Sequence, residues 1–270
     1  MAFDGFFSAL AAVIPALFLA AGVYIYVALV RQISVRVADP SATPARAFGW
    51  PEAILATVFV LLLLRGLAVS ASHDVSRIQN RDLIEGALFS IGLLIFIVGF
   101  LWLRGFDLNS LGGFSKIGFG RAVTTGGILL LAAYPLVLLA ELVTQKLARG
   151  NLEKQGIVEL FNASSTLEQR VAIILLAVTL APLSEEFFFR FFLYGVLRRY
   201  FGRSVGVVVS GLVFAAVHAH LPSFAPLFVL GMCFAVAYEW SGSLLVSMTM
   251  HALFNALALT ALAFPEVIPQ

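Results

Sequence analysis

Residues 173–196 read Ile173-Ile-Leu-Leu-Ala-Val-Thr-Leu-Ala-Pro-Leu-Ser-Glu-Glu-Phe-Phe-Phe-Arg-Phe-Phe-Leu-Tyr-Gly-Val196. The run is long and oily enough to cross a bilayer as a helix. Yet it holds two adjacent carboxylates, Glu185 and Glu186, and a buried-looking arginine, Arg190. A charge at the bilayer centre costs at least about 2.5–3.5 kcal/mol, so an intramembrane charge is by default a functional feature. Two later stretches have residues suited to meet this one: Phe214-Ala-Ala-Val-His218 and His251-Ala-Leu-Phe-Asn255.

Composition fits this reading. Of 270 residues, 61% are hydrophobic and only 12% charged, about half the charge of a soluble domain. The fold class expected is an all-α polytopic transmembrane bundle of about eight spans. They fall near residues 8–30, 51–69, 85–103, 122–143, 165–200, 204–221, 224–238 and 243–264. The long helix 165–200 starts at a capping-box pattern, Ser165-Thr-Leu-Glu168, and Pro182 is expected to kink it. Pro222 is expected to end the span before it. Two units follow: residues 1–164, with four spans, and residues 165–265, with the motifs. The first run carries Asp4 and no basic residue before it, so it reads as a retained span, not a signal peptide. Basic residues in short loops favour the N-terminus outside. Arg65 and Glu141 fall near span ends and read as interfacial. No basic tract suggests nucleic acid. The lone Cys233 can make no internal disulfide.

Depth brings the motifs together. Glu185 precedes Phe201 by sixteen residues and His218 follows Gly202 by sixteen, so both lie about 24 Å from one turn. A helical hairpin sets them level. His251 lies about 14 Å from a turn on the same side. Facing then divides the two glutamates. Glu186 and Arg190 stand at i, i+4 with the acid first, the favourable order for an ion pair. Glu185 points about 100° away. Its own face carries Phe188, Phe189 and Phe192, an apolar wall of the kind that makes a carboxylate a better general base. His251 and Asn255 share a face and can donate hydrogen bonds to a developing oxyanion. His218 can orient a water or ligate a metal. His220, at i+2, points elsewhere.

Each motif alone has a structural alternative: a helix clamp for Glu-Glu-Arg, an interfacial side chain for His218, interhelical glue for His251 and Asn255. Together and in this order they resemble the CPBP family of intramembrane proteases, also called the Abi or CAAX-protease family. Its signature is EExxxR, FxxxH and HxxxN on successive helices. The segment Tyr238-Glu-Trp-Ser-Gly-Ser-Leu-Leu245 is also similar, and the likeness covers residues 166–262.

The resemblance implies an endopeptidase acting on a membrane-embedded or lipid-modified peptide, in the plasma (inner) membrane of a bacterium. It implies Glu185 as general base, His218 holding water or metal, and His251 and Asn255 as oxyanion donors. Glu186, Arg190 and Phe214 would support the site. One divalent metal such as zinc, on Glu185, His218 and His251, stays open beside a metal-free hydrolysis, since no His-Glu-x-x-His is present. The competing functions are a proton- or ion-coupled transporter and a non-catalytic immunity or scaffold protein.

Overall fold

A computed structural model describes residues 2–37, 48–71, 80–147, 161, 164 and 166–264. Expectations at His73, Asn162 and Ser165 fall outside these. The elements are helices α1 (Ala2–Val37), α2 (Trp50–Ala71), α3 (Asn80–Leu103), the short α4 (Leu108–Gly112) and α5 (Phe119–Leu147). Then come α6 (Leu167–Leu175), a π-helical stretch π1 (Leu176–Leu180), α7 (Ala181–Glu186), a second π stretch π2 (Phe187–Leu193) and α8 (Tyr194–Val217). The chain ends in α9 (Leu221–Ser241) and α10 (Leu244–Ala263).

This is an all-α polytopic membrane bundle. Among the described residues, six helices are long and apolar enough, by length and composition, to cross a membrane. One of them, Leu167–Val217, has 51 residues. It breaks at Gly202, whose φ of 82° and ψ of 173° are non-helical. Such a positive φ favours glycine, which has no Cβ to clash. The two arms fold back on each other there. Gly206 packs on the Tyr194 ring, Phe214 on Phe189, and His218 faces Glu185. The last two pairs are nearly equidistant from Gly202, as a hairpin requires.

The outer surface is apolar where a soluble protein's would be polar. Leu17, Tyr24, Ile54, Leu61, Leu88, Ile95, Leu131 and Leu142 are all exposed along their helices. Side chains of this kind suit lipid, while the backbone is satisfied within each helix. The core lies where α5 packs against α1, α9 and α10, and where the hairpin packs against α9. On its other side the hairpin meets α2 and α3.

Three local expectations change. The helix beginning near residue 166 is capped by Thr166, whose side chain accepts from the Gln169 amide at 3.2 Å, one residue later than expected. Pro222 does not close the preceding span. That helix ends at Val217, and Pro222 instead stands in the first turn of α9, where a missing N–H leaves nothing unpaired. The irregularity beside Pro182 is a π stretch: Pro182 is the second residue of α7, one residue after π1 ends.

Candidate active site

Phe214 is the hub. Its buried ring lies against Phe189, His218, Phe234 and His251, and the Arg190 guanidinium sits 4.2 Å above it. Its carbonyl accepts a hydrogen bond from His218 Nδ1 at 2.7 Å. A carbonyl can only accept, so Nδ1 carries the proton and Nε2 of the neutral ring keeps its lone pair. The Phe-x-x-x-His spacing thus fixes the ring's position, orientation and tautomer at once. Ala219, just after it, takes a φ of 53°, unusual for a residue with a side chain, at the corner that leads into α9.

Glu185 and Glu186 part company as their 100° offset suggests. Glu186 is fully buried. Its Oε1 lies 3.1 Å from Arg190 Nη1 and 3.0 Å from His251 Nδ1. Glu185 points the other way, into a cavity of about 230 Å³. Its Oε2 is itself buried, has no hydrogen-bond partner among the described residues and lies 3.9 Å from His218 Nε2. The two side chains remain about 30% exposed, at 30% and 28%. Glu185 and His218 therefore face one accessible space, while Glu186, Arg190 and His251 form a closed cluster behind them.

His251 and Asn255 do not face that space with Glu185. The His251 ring stacks on Phe234 at 5.0 Å and gives its Nδ1 proton to Glu186. Asn255 Nδ2 donates to the Ala177 carbonyl at 2.7 Å. The oxyanion pair expected from their shared face is thus engaged with protein groups. The expected metal set of Glu185, His218 and His251 is not gathered either, because the His251 ring is seated between Phe214 and Phe234. Among the described residues, no group of three or more His, Cys, Asp or Glu side chains is placed to hold a metal ion. His220 bonds Ser223 at the start of α9, away from His218.

Several residues that matter here carried no signal in the sequence. The far wall of the cavity is Leu63 of α2 with Phe89, Ser90 and Leu93 of α3, opposite Ser184, Phe188, Phe189 and Val217. Thr57, Thr124, Thr144, Thr179, Ser184 and Thr260 each donate to the carbonyl one turn back, the usual resting place of a hydroxyl in an apolar helix. No such bond is made by Ser90 among the described residues, so its hydroxyl is available to the cavity. Nothing in a sequence distinguishes a serine that back-bonds from one that does not.

Glu239 could have been found, as a lone acid in the last turn of an apolar helix beside a basic hairpin turn. It accepts from Tyr194 Oη at 2.9 Å, Arg198 Nη1 at 2.8 Å and Arg203 Nε at 2.6 Å. These bonds pin both arms of the hairpin to α9, which sets the depth of Glu185 and His218 from the turn end. Glu239→Gln is expected to lower stability by about 1–2 kcal/mol, discounted because both arginines are partly in solvent. The apparent unfolding midpoint in detergent measures it; an unchanged midpoint would mean that the clamp is ornamental.

Residues 167–257 match the family model described as Rce1-like: Type II CAAX prenyl endopeptidase Rce1-like. No curated protein and no solved structure matches the chain. The matched residues run from the first turn of α6 to the middle of α10 and include all three motifs and the cluster just described. Residues 167–257 are therefore similar to the Rce1-like type II CAAX prenyl endopeptidases, the family that the three motifs resemble, and this supports an intramembrane protease in general.

Proposed function

We propose that this membrane protein is an intramembrane endopeptidase in which Glu185 activates water against a peptide bond of a membrane-embedded or lipid-modified substrate. The observation that carries this reading is the gap between Glu185 Oε2 and His218 Nε2. At 3.9 Å it is too long for a direct hydrogen bond. A water about 2.8 Å from each atom would bridge them once a small side-chain shift opens Oε2, which is buried in this structure, to the cavity. Both atoms are acceptors, so together they take both protons of that water. Its lone pairs are then left facing the cavity, where a carbonyl carbon can be attacked.

In the reaction, Glu185 takes one proton as the water oxygen bonds to the carbonyl carbon. The carbon–nitrogen bond breaks, and the proton passes to the departing amine. The residues at hand do not make a three-ligand metal site, so no step is assigned to a metal. Substrate enters from the side, between the hairpin and α3, and meets apolar walls from Leu63, Phe89, Leu93, Phe188, Phe189 and Val217. An apolar residue beside the scissile bond fits them, with the Ser90 hydroxyl available to a backbone group. The bacterial plasma membrane is the compartment we assign.

The test uses the purified chain in liposomes with quenched-fluorescent peptides: membrane-anchored, prenylated and soluble. Cleavage is expected for anchored peptides and not for soluble ones. It is also expected to survive a strong chelator with less than about a twofold change, as in a site where a carboxylate does the work alone. Loss of cleavage on chelation, restored by added zinc, would return the metal to the mechanism. Failure to cut any anchored peptide, together with proton-driven flux across the vesicle, would replace the protease by a transporter.

A further inference from the structure

The backbone around Pro182 contains a break that another helix repairs. In π1 the Ala181 N–H donates to the Leu176 carbonyl, five residues back. In the same register the next carbonyl, that of Ala177, would accept from the N–H of residue 182. Residue 182 is proline and has none. The carbonyl is not left bare: Asn255 Nδ2, from α10, lies 2.7 Å from it. Only the amide nitrogen can donate to a carbonyl oxygen, so this contact also fixes which way the Asn255 side chain is turned.

The location gives the repair its consequence. Glu185 follows Pro182 by three residues, and α7 is only six residues long between two π stretches. The rotation of α7 decides whether Glu185 meets His218 or turns aside. Helix α10 holds α7 and its approach at two points, both on one face: His251 on Glu186 and, one turn later, Asn255 on Ala177.

We propose that Asn255 is a positioning residue. Its amide stands in for the N–H that Pro182 lacks and fixes the register at which α7 presents Glu185 to His218. The inference deepens the protease reading, and it has a readout that does not depend on cleavage.

The test is a double-mutant cycle on the full chain in liposomes, with Asn255→Ala, Pro182→Ala and the pair. Asn255→Ala is expected to lower kcat about 100-fold with KM little changed, the size of effect that a small misplacement of a catalytic group produces. Pro182→Ala restores an N–H at residue 182 and should cleave near the wild-type rate. In that background Asn255→Ala should cost less than about tenfold, because Ala177 regains a donor from its own helix. The apparent unfolding midpoint should follow the same pattern: lowered by Asn255→Ala alone, and largely restored in the pair. If Asn255→Ala does not fold, Asn255→Leu, which fills the space and has no donor, takes its place. An equal loss of kcat in both backgrounds overturns the proposal and makes Asn255 a group that touches the reacting atoms. If no variant cleaves, wild type included, the protease reading fails. The midpoints then decide the repair alone: coupling supports it and additivity overturns it.

Discussion

Glu185→Gln is expected to abolish cleavage, by about 10²–10⁴-fold in kcat, while leaving the fold and KM almost unchanged. The two halves of that expectation have separate causes. The rate falls because an amide cannot take a proton from water. The fold survives because Glu185 Oε2 has no hydrogen-bond partner among the described residues to lose and its side chain is still 30% exposed. Glutamine has the same length and can even donate to His218 Nε2. His218→Ala should fall in the same range, since it removes the second acceptor for the water. The double variant should be little worse than the worse single one, because two residues that act on one water act as a unit. The measurement is cleavage of an anchored peptide by matched amounts of folded protein. Wild-type turnover in a folded Glu185→Gln protein would sink the mechanism.

How much of this was visible in the sequence depends on what kind of distance each feature spans. The meeting of Glu185 and His218 was legible, because a hairpin makes equal counts from one turn into equal depth, and Gly202 supplies the turn. The separation of Glu186 from Glu185 was legible too, since 100° per residue and the i, i+4 arginine belong to the helix itself. What was lost lies between helices. His251 shares the layer, but Glu186 rather than Glu185 receives its proton, which depends on how α10 is rotated against α7. The π stretches were hidden because each arises from an exchange of backbone partners. The chain shows a proline at 182, but not that a side chain 73 residues later completes its missing bond. The α3 wall was hidden for a plainer reason: a serine among leucines and phenylalanines has no periodicity to betray it.

Replacing Glu186 is expected to do the reverse of replacing Glu185: it should damage the fold first. Glu186 is 0% exposed and Arg190 1%. The arginine is enclosed by aromatic faces, with its guanidinium carbon 4.2 Å from the Phe214 centroid, 5.0 Å from that of Phe234 and 5.7 Å from that of Phe189. Its one hydrogen bond among the described residues is a long one, from Nη2 to the Gly231 carbonyl at 3.4 Å. Arg190 Nη1 is near Glu186 Oε1, at 3.1 Å, yet is poorly aligned for a hydrogen bond, and Arg190 Nε and Glu186 Oε2 have no partner among the described residues. The pair is therefore held by opposite charge in a setting that screens little. Removing one partner leaves an uncompensated charge in that setting, at a cost of about 3–5 kcal/mol. Glu186→Gln and Arg190→Met should each lower the apparent unfolding midpoint sharply in detergent. The double variant should be more stable than either single one, since no lone charge remains and the apolar side chain suits the aromatic cage. Its cleavage should still be impaired, because His251 loses the carboxylate that accepts its Nδ1 proton. If Glu186→Gln is as stable as wild type and the double variant is the worst of the three, the buried pair is not what holds α7 against α10. The division of labour between the adjacent glutamates would then have to be drawn differently.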